Sequence, residues 1–239
     1  MRRALAGALA LLISAVAAVS VATAQAPRTQ HLGTSVQGRP IGLTRIGEPD
    51  APRKVLVVGC IHGDECAGRA IVARLLAANT APPGAELLLV RNLNPDGFQR
   101  ATRQNARGVD LNRNSSQGWR RLGALGTPEY PGPRPFSEPE SRAIRALILR
   151  ERPAVTVWYH QPLALVDFPE AGAERLTRAY ARATGLRARR LSARPGSLSR
   201  WQNARVRAGS SIVVELGPGR LRATARDRHA FAVLVLAST

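Results

Sequence analysis

Short apolar runs closed by turn residues recur along this chain, separated by longer stretches of mixed character. Lys54 to Val58 is a continuous β-branched and apolar run ending at Gly59, which predicts a buried strand. Glu86 to Arg91, Ala154 to Tyr159 and Ser211 to Val214 repeat the pattern. Between these runs, Ala67 to Ala78, Ala173 to Ala183 and Thr224 to Leu236 read as helices, the first stopped by Asn79-Thr-Ala-Pro-Pro-Gly84. Ser137-Glu-Pro-Glu140 predicts a capping box opening a helix to about Arg150, before Pro153. Gly42 to Ala51 is polar and turn-rich, as in an entry hairpin or edge strand. Asn92 to Gly97 reads as a loop and Arg194-Pro-Gly-Ser197 as a turn. Phe98 to Gly132 lacks periodicity, and a long irregular stretch inside a compact domain signals function or disorder. Strands alternating with helices predict an α/β sheet, with its ligand site along the edge where the strand carboxyl ends meet.

The polar residues at those ends carry the chemistry. His62 and Glu65 follow the first strand three positions apart. Hydrolytic zinc is commonly held by two His and one Glu, with a fourth position open for water. Alone, the pair reads equally as a solvated loop. A third ligand should be another His at a strand end, and His160 closes Val155-Thr-Val-Trp-Tyr159. His31 falls in an N-terminal arm and His229 in the last helix, where a partly exposed structural role is expected. Glu215 ends a fourth apolar run; a buried carboxylate needs a partner or a task, and an attacking water needs a base. An arginine partner is the rival reading. Between these lies Gly108-Val-Asp110-Leu-Asn112-Arg113-Asn114. A guanidinium fork beside an amide suits a carboxylate, and Asp110 could fix the tautomer of a ligand His through its second nitrogen. Cys60 and Cys66 flank His62 and Glu65. A disulfide, thiolate ligation of a closed metal site and two buried reduced thiols all remain open.

Length and charge narrow the setting. The 239 residues suffice for one sizeable domain, and an apolar content of 44% supports a core. The formal charge of +19 is carried almost wholly by arginine, since Lys54 is the only lysine. Such a surface favours anionic surroundings, but scattered arginines, few aromatics and no binding module count against nucleic acid. Met1-Arg2-Arg3, an apolar run from Ala4 and Ala22-Thr-Ala24 predict a secretory signal over 1–24, with an uncleaved anchor as the rival. No later segment is apolar enough to span a bilayer, so a soluble, exported mature protein (periplasmic or extracellular) is expected, with an arm over 25–41 and a catalytic domain over 42–239.

His62-x-x-Glu65, Gly108 to Asn114, His160 and Glu215, in that order, resemble the M14 zinc carboxypeptidases. Trp158-Tyr-His-Gln-Pro162 and Pro195-Gly-Ser-Leu-Ser-Arg-Trp201 resemble their bacterial murein peptide amidase branch. The resemblance covers about residues 42 to 220. It implies a three-layer α/β/α sandwich around a mixed, largely parallel eight-stranded sheet. It also implies one Zn2+ on His62, Glu65 and His160, Glu215 as base, and Asn112 with Arg113 on a substrate carboxylate. Arg103, ahead of Arg107, matches the arginine that polarises the scissile carbonyl. The implied substrate is a peptide with a free carboxylate, of cell-wall origin. One departure is the missing mobile-loop Tyr, since no Tyr lies between Tyr180 and Glu215 and Ser192 or Arg194 stands near its place. Two rival functions are an N-acyl amino acid amidohydrolase of the succinylglutamate desuccinylase and aspartoacylase type, and a silent wall-binding protein.

Overall fold

The computed structural model describes residues 25–168, 173–207 and 209–239; the expected signal over 1–24 lies outside them. Eight strands form one mixed sheet: β1 (Arg28–Thr34), β2 (Pro40–Gly47), β3 (Arg53–Val58), β4 (Ala85–Val90), β5 (Val155–His160), β6 (Leu165–Asp167), β7 (Arg187–Arg189) and β8 (Ser210–Glu215). Their order across the sheet is β1-β2-β4-β3-β5-β8-β6-β7. The centre, β4-β3-β5-β8, is parallel, while β2 and β6 join it antiparallel. The helices are α1 (Gly68–Ala78), α2 (Pro95–Arg100), α3 (Pro139–Glu151), α4 (Glu174–Thr184), α5 (Leu198–Arg205) and α6 (Ala223–Ser238).

Strand periodicity divides the core in two. Val55, Val57, Leu87, Leu89, Val157, Tyr159, Ile212 and Val214 face one way, against Ile71 of α1, Tyr180 of α4 and Val233 of α6. Leu56, Val58, Leu88, Val90, Trp158 and Val213 face the other way, against Ile144 of α3 and Trp201 of α5. Burial on both faces explains why the central strands read as unbroken apolar runs. This is the expected three-layer α/β/α sandwich. No helix of the described residues is long and apolar enough to cross a membrane.

Several expectations change. The arm over 25–41 instead supplies β1 and the start of β2, paired with each other at the sheet edge. Glu86 and Glu151 clamp that edge: Arg28 and Arg45 bond Glu86 at 2.7 and 2.9 Å, and Lys54 reaches Glu151 at 2.8 Å. The capping box does not form. Helix α3 starts one residue later, and the Ser137 hydroxyl donates to Glu138 Oε1 instead of accepting from a helix amide. The loop reading of 92–97 overlooked α2, capped by the Asn94 side chain on the Gly97 amide. His229 is buried, with its Nδ1 2.8 Å from the Tyr180 hydroxyl, which in turn meets Tyr159 at 2.7 Å.

Burial, helped by the Arg228 charge, pushes the His229 pKa down to about 4. In the unfolded chain a histidine titrates near pH 6.5 (roughly). Neutral His229 therefore contributes stability that is complete above that pH and is lost as the medium acidifies towards about 4. Urea midpoints of the wild type should fall across this window. Those of His229→Gln, which keeps an acceptor for Tyr180, should fall less; parallel curves would remove His229 as the source.

Candidate active site

The parallel centre of the sheet brings the strand ends together. β5 and β8 are paired so that His160 lies directly opposite Glu215. Both side chains leave the sheet on the face of Trp158 and Val213, because side chains alternate along a strand. β3 lies on the other side of β5, and its exit leads through Gly59 into the loop carrying His62 and Glu65. Gly63 lets this loop press onto α2, since a side chain there would collide with the backbone of Gly97. A disulfide joins Cys60 to Cys66 around the loop, with Cα atoms 4.7 Å apart. Of the three readings open for the thiols, ligation and the free pair are thereby set aside.

Three donor atoms converge at this edge. Glu65 Oε2 lies 3.0 Å from His62 Nδ1 and 3.0 Å from His160 Nδ1, and the two nitrogens lie 3.2 Å apart. Both histidines are buried. Ligands held at about 2.0–2.1 Å by one tetrahedral zinc sit roughly 3.3 Å from each other. The trio has that spacing, and it is the cluster of metal-ligating side chains found among the described residues. The donor set fits zinc.

Surrounding groups fix the ligands. Asp110 is fully buried and accepts from His62 Nε2 at 2.9 Å, which leaves Nδ1 as the lone-pair donor. Asp110 also accepts from Arg103 Nε at 3.0 Å and from the Asn112 amide at 2.8 Å. Burial alone would lower the His62 pKa, but the Asp110 charge and hydrogen bond outweigh it and raise it, making a more basic ligand. Glu65 is held far below the usual carboxylate range: burial opposes this, and the bonds to His160 and His62 overcome it. Its other oxygen accepts from Arg103 Nη1 at 2.6 Å.

A cavity of about 430 Å³ opens beside the trio, lined also by Arg103, Asn112, Arg113 and Glu215. Asp110 caps a single turn of 3-10 helix, Leu111–Arg113, that delivers Asn112 and Arg113. Gly196, at φ +71°, passes so close to the Arg113 backbone that any side chain would collide with it. Arg113 is buried, with Nη1 on the Asn112 carbonyl at 2.9 Å and Nη2 on Glu129 at 2.8 Å. Its Nε has no partner. Glu215 Oε2 is likewise buried without a partner, and burial is the main cause raising the Glu215 pKa, against the His160 charge. The alternative arginine, Arg107, instead pairs with Glu138 at 3.7 Å and does not line the cavity. Ser192 and Arg194 do line it.

Three residues of the site went unread in the sequence. Glu129 steadies Arg113 from inside the irregular segment. Gln161 accepts from the Ala67 amide at 3.0 Å and donates to the carbonyls of Gly217 and Gly219, both at 2.9 Å, tying three strand and helix junctions together. Asp167 lines the cavity from the end of β6 and accepts from the Leu191 amide at 2.8 Å. Only Gln161 carried a signal, its place directly after a strand-end His.

Loss of a donor should show in metal content before activity is considered. His160→Ala should strip zinc from the purified protein, as read by elemental mass spectrometry. Asp110→Asn should weaken zinc about 10–100-fold in chelator competition. Unchanged zinc content in His160→Ala would remove it from the ligand set.

The sequence pattern of the zinc carboxypeptidase family matches residues 13–173, a span that includes His62, Glu65, Asn112, Arg113 and His160 and stops before Glu215. Murein peptide amidase A of Escherichia coli strain K12 is 36% identical over 160 residues, covering 60% of this chain and 63% of that protein. Murein peptide amidase A of Vibrio campbellii is 33% identical over 165 residues, covering 60% and 65%. The chain thus spans less than two thirds of the length of these curated relatives. The crystal structure of murein-tripeptide amidase from Escherichia coli O157 superposes with a TM-score of 0.70 at 28% identity, covering 88% of this chain and 92% of that one. Carboxypeptidase A from Helicoverpa armigera reaches 0.74 at 19% identity, covering 89% and 68%, and speaks to the fold alone. With strand-end ligands, sheet and sequence pattern in agreement over most of its length, the chain belongs to the zinc carboxypeptidase family.

Proposed function

We propose that the protein is an exported zinc-dependent carboxypeptidase or amidase. It hydrolyses a peptide or γ-glutamyl bond next to a residue with a free carboxylate, in murein stem peptides. The observation that carries the reading is the content of one cavity: the ligand trio, an unpartnered buried carboxylate oxygen on Glu215 and a buried guanidinium on Arg113. The family supports the reaction class, and the two curated relatives named murein peptide amidase A support the substrate. Export rests on the sequence of residues 1–24, and a disulfide beside the site suits an oxidising compartment.

When bound to His62, Glu65 and His160, zinc supplies Lewis acidity for water and for the scissile carbonyl. The chain's own groups do the rest. Arg113, steadied by Glu129 and the Asn112 carbonyl, presents a charge-assisted donor to the substrate carboxylate, and Asn112 adds an amide. This anchorage sets the scissile bond against the strand ends. Glu215 takes the proton of the attacking water and hands it to the leaving amine. A raised pKa suits that double task, since an acid–base group works best when it titrates nearer the working pH. Arg103, bonded to Glu65 and Asp110, stands at the cavity wall where a carbonyl oxygen gains charge.

Mass spectrometry of muropeptides and peptide libraries incubated with zinc-loaded protein tests the proposal. Products lacking a terminal residue with a free carboxylate support it; an intact library with intact muropeptides overturns it. Glu215→Gln should keep its zinc and lose turnover by about 10²–10⁴-fold. Near-normal turnover in that variant would assign the base elsewhere. Arg113→Ala should lose about 2–5 kcal/mol of transition-state binding on free-acid substrates. Equal cleavage of free-acid and amidated substrates by the wild type would refute the anchoring role.

A further inference from the structure

A second cavity, of about 830 Å³, adjoins the first. The ligand loop contributes His62 and Glu65 to one and Gly63, Asp64 and Cys66 to the other, and Gln161 lines both. The charge of the second cavity is one-sided. Arg69, Arg91, Arg220 and Arg226 line it against a single acid, Asp64. Among the described residues none of the four arginines takes part in an ion pair. Unpaired arginines are common in a chain of charge +19; what distinguishes this cavity is that four guanidinium side chains converge on one space beside a single carboxylate.

Arg69 is the most constrained of the set. Its guanidinium lies 3.7 Å over the Phe98 ring, which holds it flat against the cavity wall. Its Nε is buried with no hydrogen-bond partner. Burial and the neighbouring Arg91 charge both lower its pKa, so the cationic form is disfavoured twice. A buried donor without an acceptor, beside like charge, is a cost that an anionic ligand removes. The half-exposed Phe98 ring adds an apolar surface for the rest of such a ligand.

Arg113 sits in the first cavity. A peptide whose terminal carboxylate is held there has to continue past the ligand trio, and Gln161 marks where the two cavities meet. We propose that the second cavity is a subsite for carboxylate-bearing residues on the acyl side of the cleaved bond, so that the enzyme prefers acidic peptides. The proposal rests on the assignment of the first cavity to the terminal residue.

Two peptides sharing the cleaved bond and terminal residue, with either Glu-Glu or Gln-Gln on the acyl side, separate the possibilities. Wild-type kcat/KM should favour the acidic peptide by about tenfold at low salt, and salt should erode that preference. Arg220→Gln/Arg226→Gln should abolish the preference and leave the Gln-Gln peptide unaffected. Arg187→Gln/Arg189→Gln, which removes the same charge from the exposed positions of β7, should retain it. Calorimetry with N-acetyl-Glu-Glu-amide, which has no terminal carboxylate, reads the subsite without catalysis. Binding by the wild type and the β7 variant but not by Arg220→Gln/Arg226→Gln upholds the subsite even if neither peptide is cleaved, in which case the hydrolase reading fails alone. Cleavage of both peptides at equal rates, with no binding of the amide or with equal loss in both double variants, overturns the subsite and leaves the hydrolase reading standing.

Discussion

The carboxylate of Asp110 joins three separate parts of the chain at one point. It accepts from His62 beyond β3, from Arg103 in the irregular segment and from the Asn112 amide in the short 3-10 turn. Burying an ion is costly unless it is paired and fully hydrogen-bonded, and here every bond goes to a residue of the site. The desolvation cost is therefore fully offset only when the loop of His62, Arg103 and the 3-10 turn of Asn112 are all in place. His62 and Arg103 together hold its pKa well below the ordinary range against the effect of burial. The ion thus ties these segments together and at the same time fixes the orientation of the His62 ring. It explains how a long stretch without regular secondary structure can position two side chains inside a cavity.

The sheet provides the other half of the geometry. His160 and Glu215 project from neighbouring parallel strands at matched positions. A slip of one residue between β5 and β8 would send one of them to the opposite face, and every apolar partner with it. Val155, Val157, Ile212 and Val214 are buried on both sides of that pairing, so the register is locked by the core. The spacing of Glu215 from His160 is therefore inherited from core packing and is insulated from changes in surface loops.

These central strands were legible in the sequence because burial on both faces leaves an unbroken apolar run. The strand-end residues were legible for the same reason, since a His or Glu that closes such a run is out of character with it. Edge elements gave no such contrast. β1 is largely exposed, and β6 and β7 have three residues each, too few for any period to show. α5 begins directly after Pro195-Gly196-Ser197, whose turn chemistry conceals a helix held mainly by Leu198 and Trp201. Ser137 looked like a helix cap because its spacing to Glu140 is right, but its hydroxyl is taken by Glu138 and Asn114, a tertiary contact that local sequence cannot anticipate. Asp167 reaches the cavity, and Glu129 reaches Arg113 behind it, from distant segments, so no spacing along the chain could have placed them there.

The Cys60–Cys66 bridge has a consequence for how the ligand loop exists before any cation arrives. Two of the three donor residues lie inside the ring it closes, and the third is delivered by a buried strand. In many metal sites the cation gathers its ligands and so spends part of its binding energy on ordering the chain. Here a covalent tether and a sheet have already restricted the loop, so less of that energy goes into assembly. The same economy ties the site to its surroundings: a thiol-rich medium would return to the loop the freedom that the bridge removes, and with it the ordering cost of the empty site.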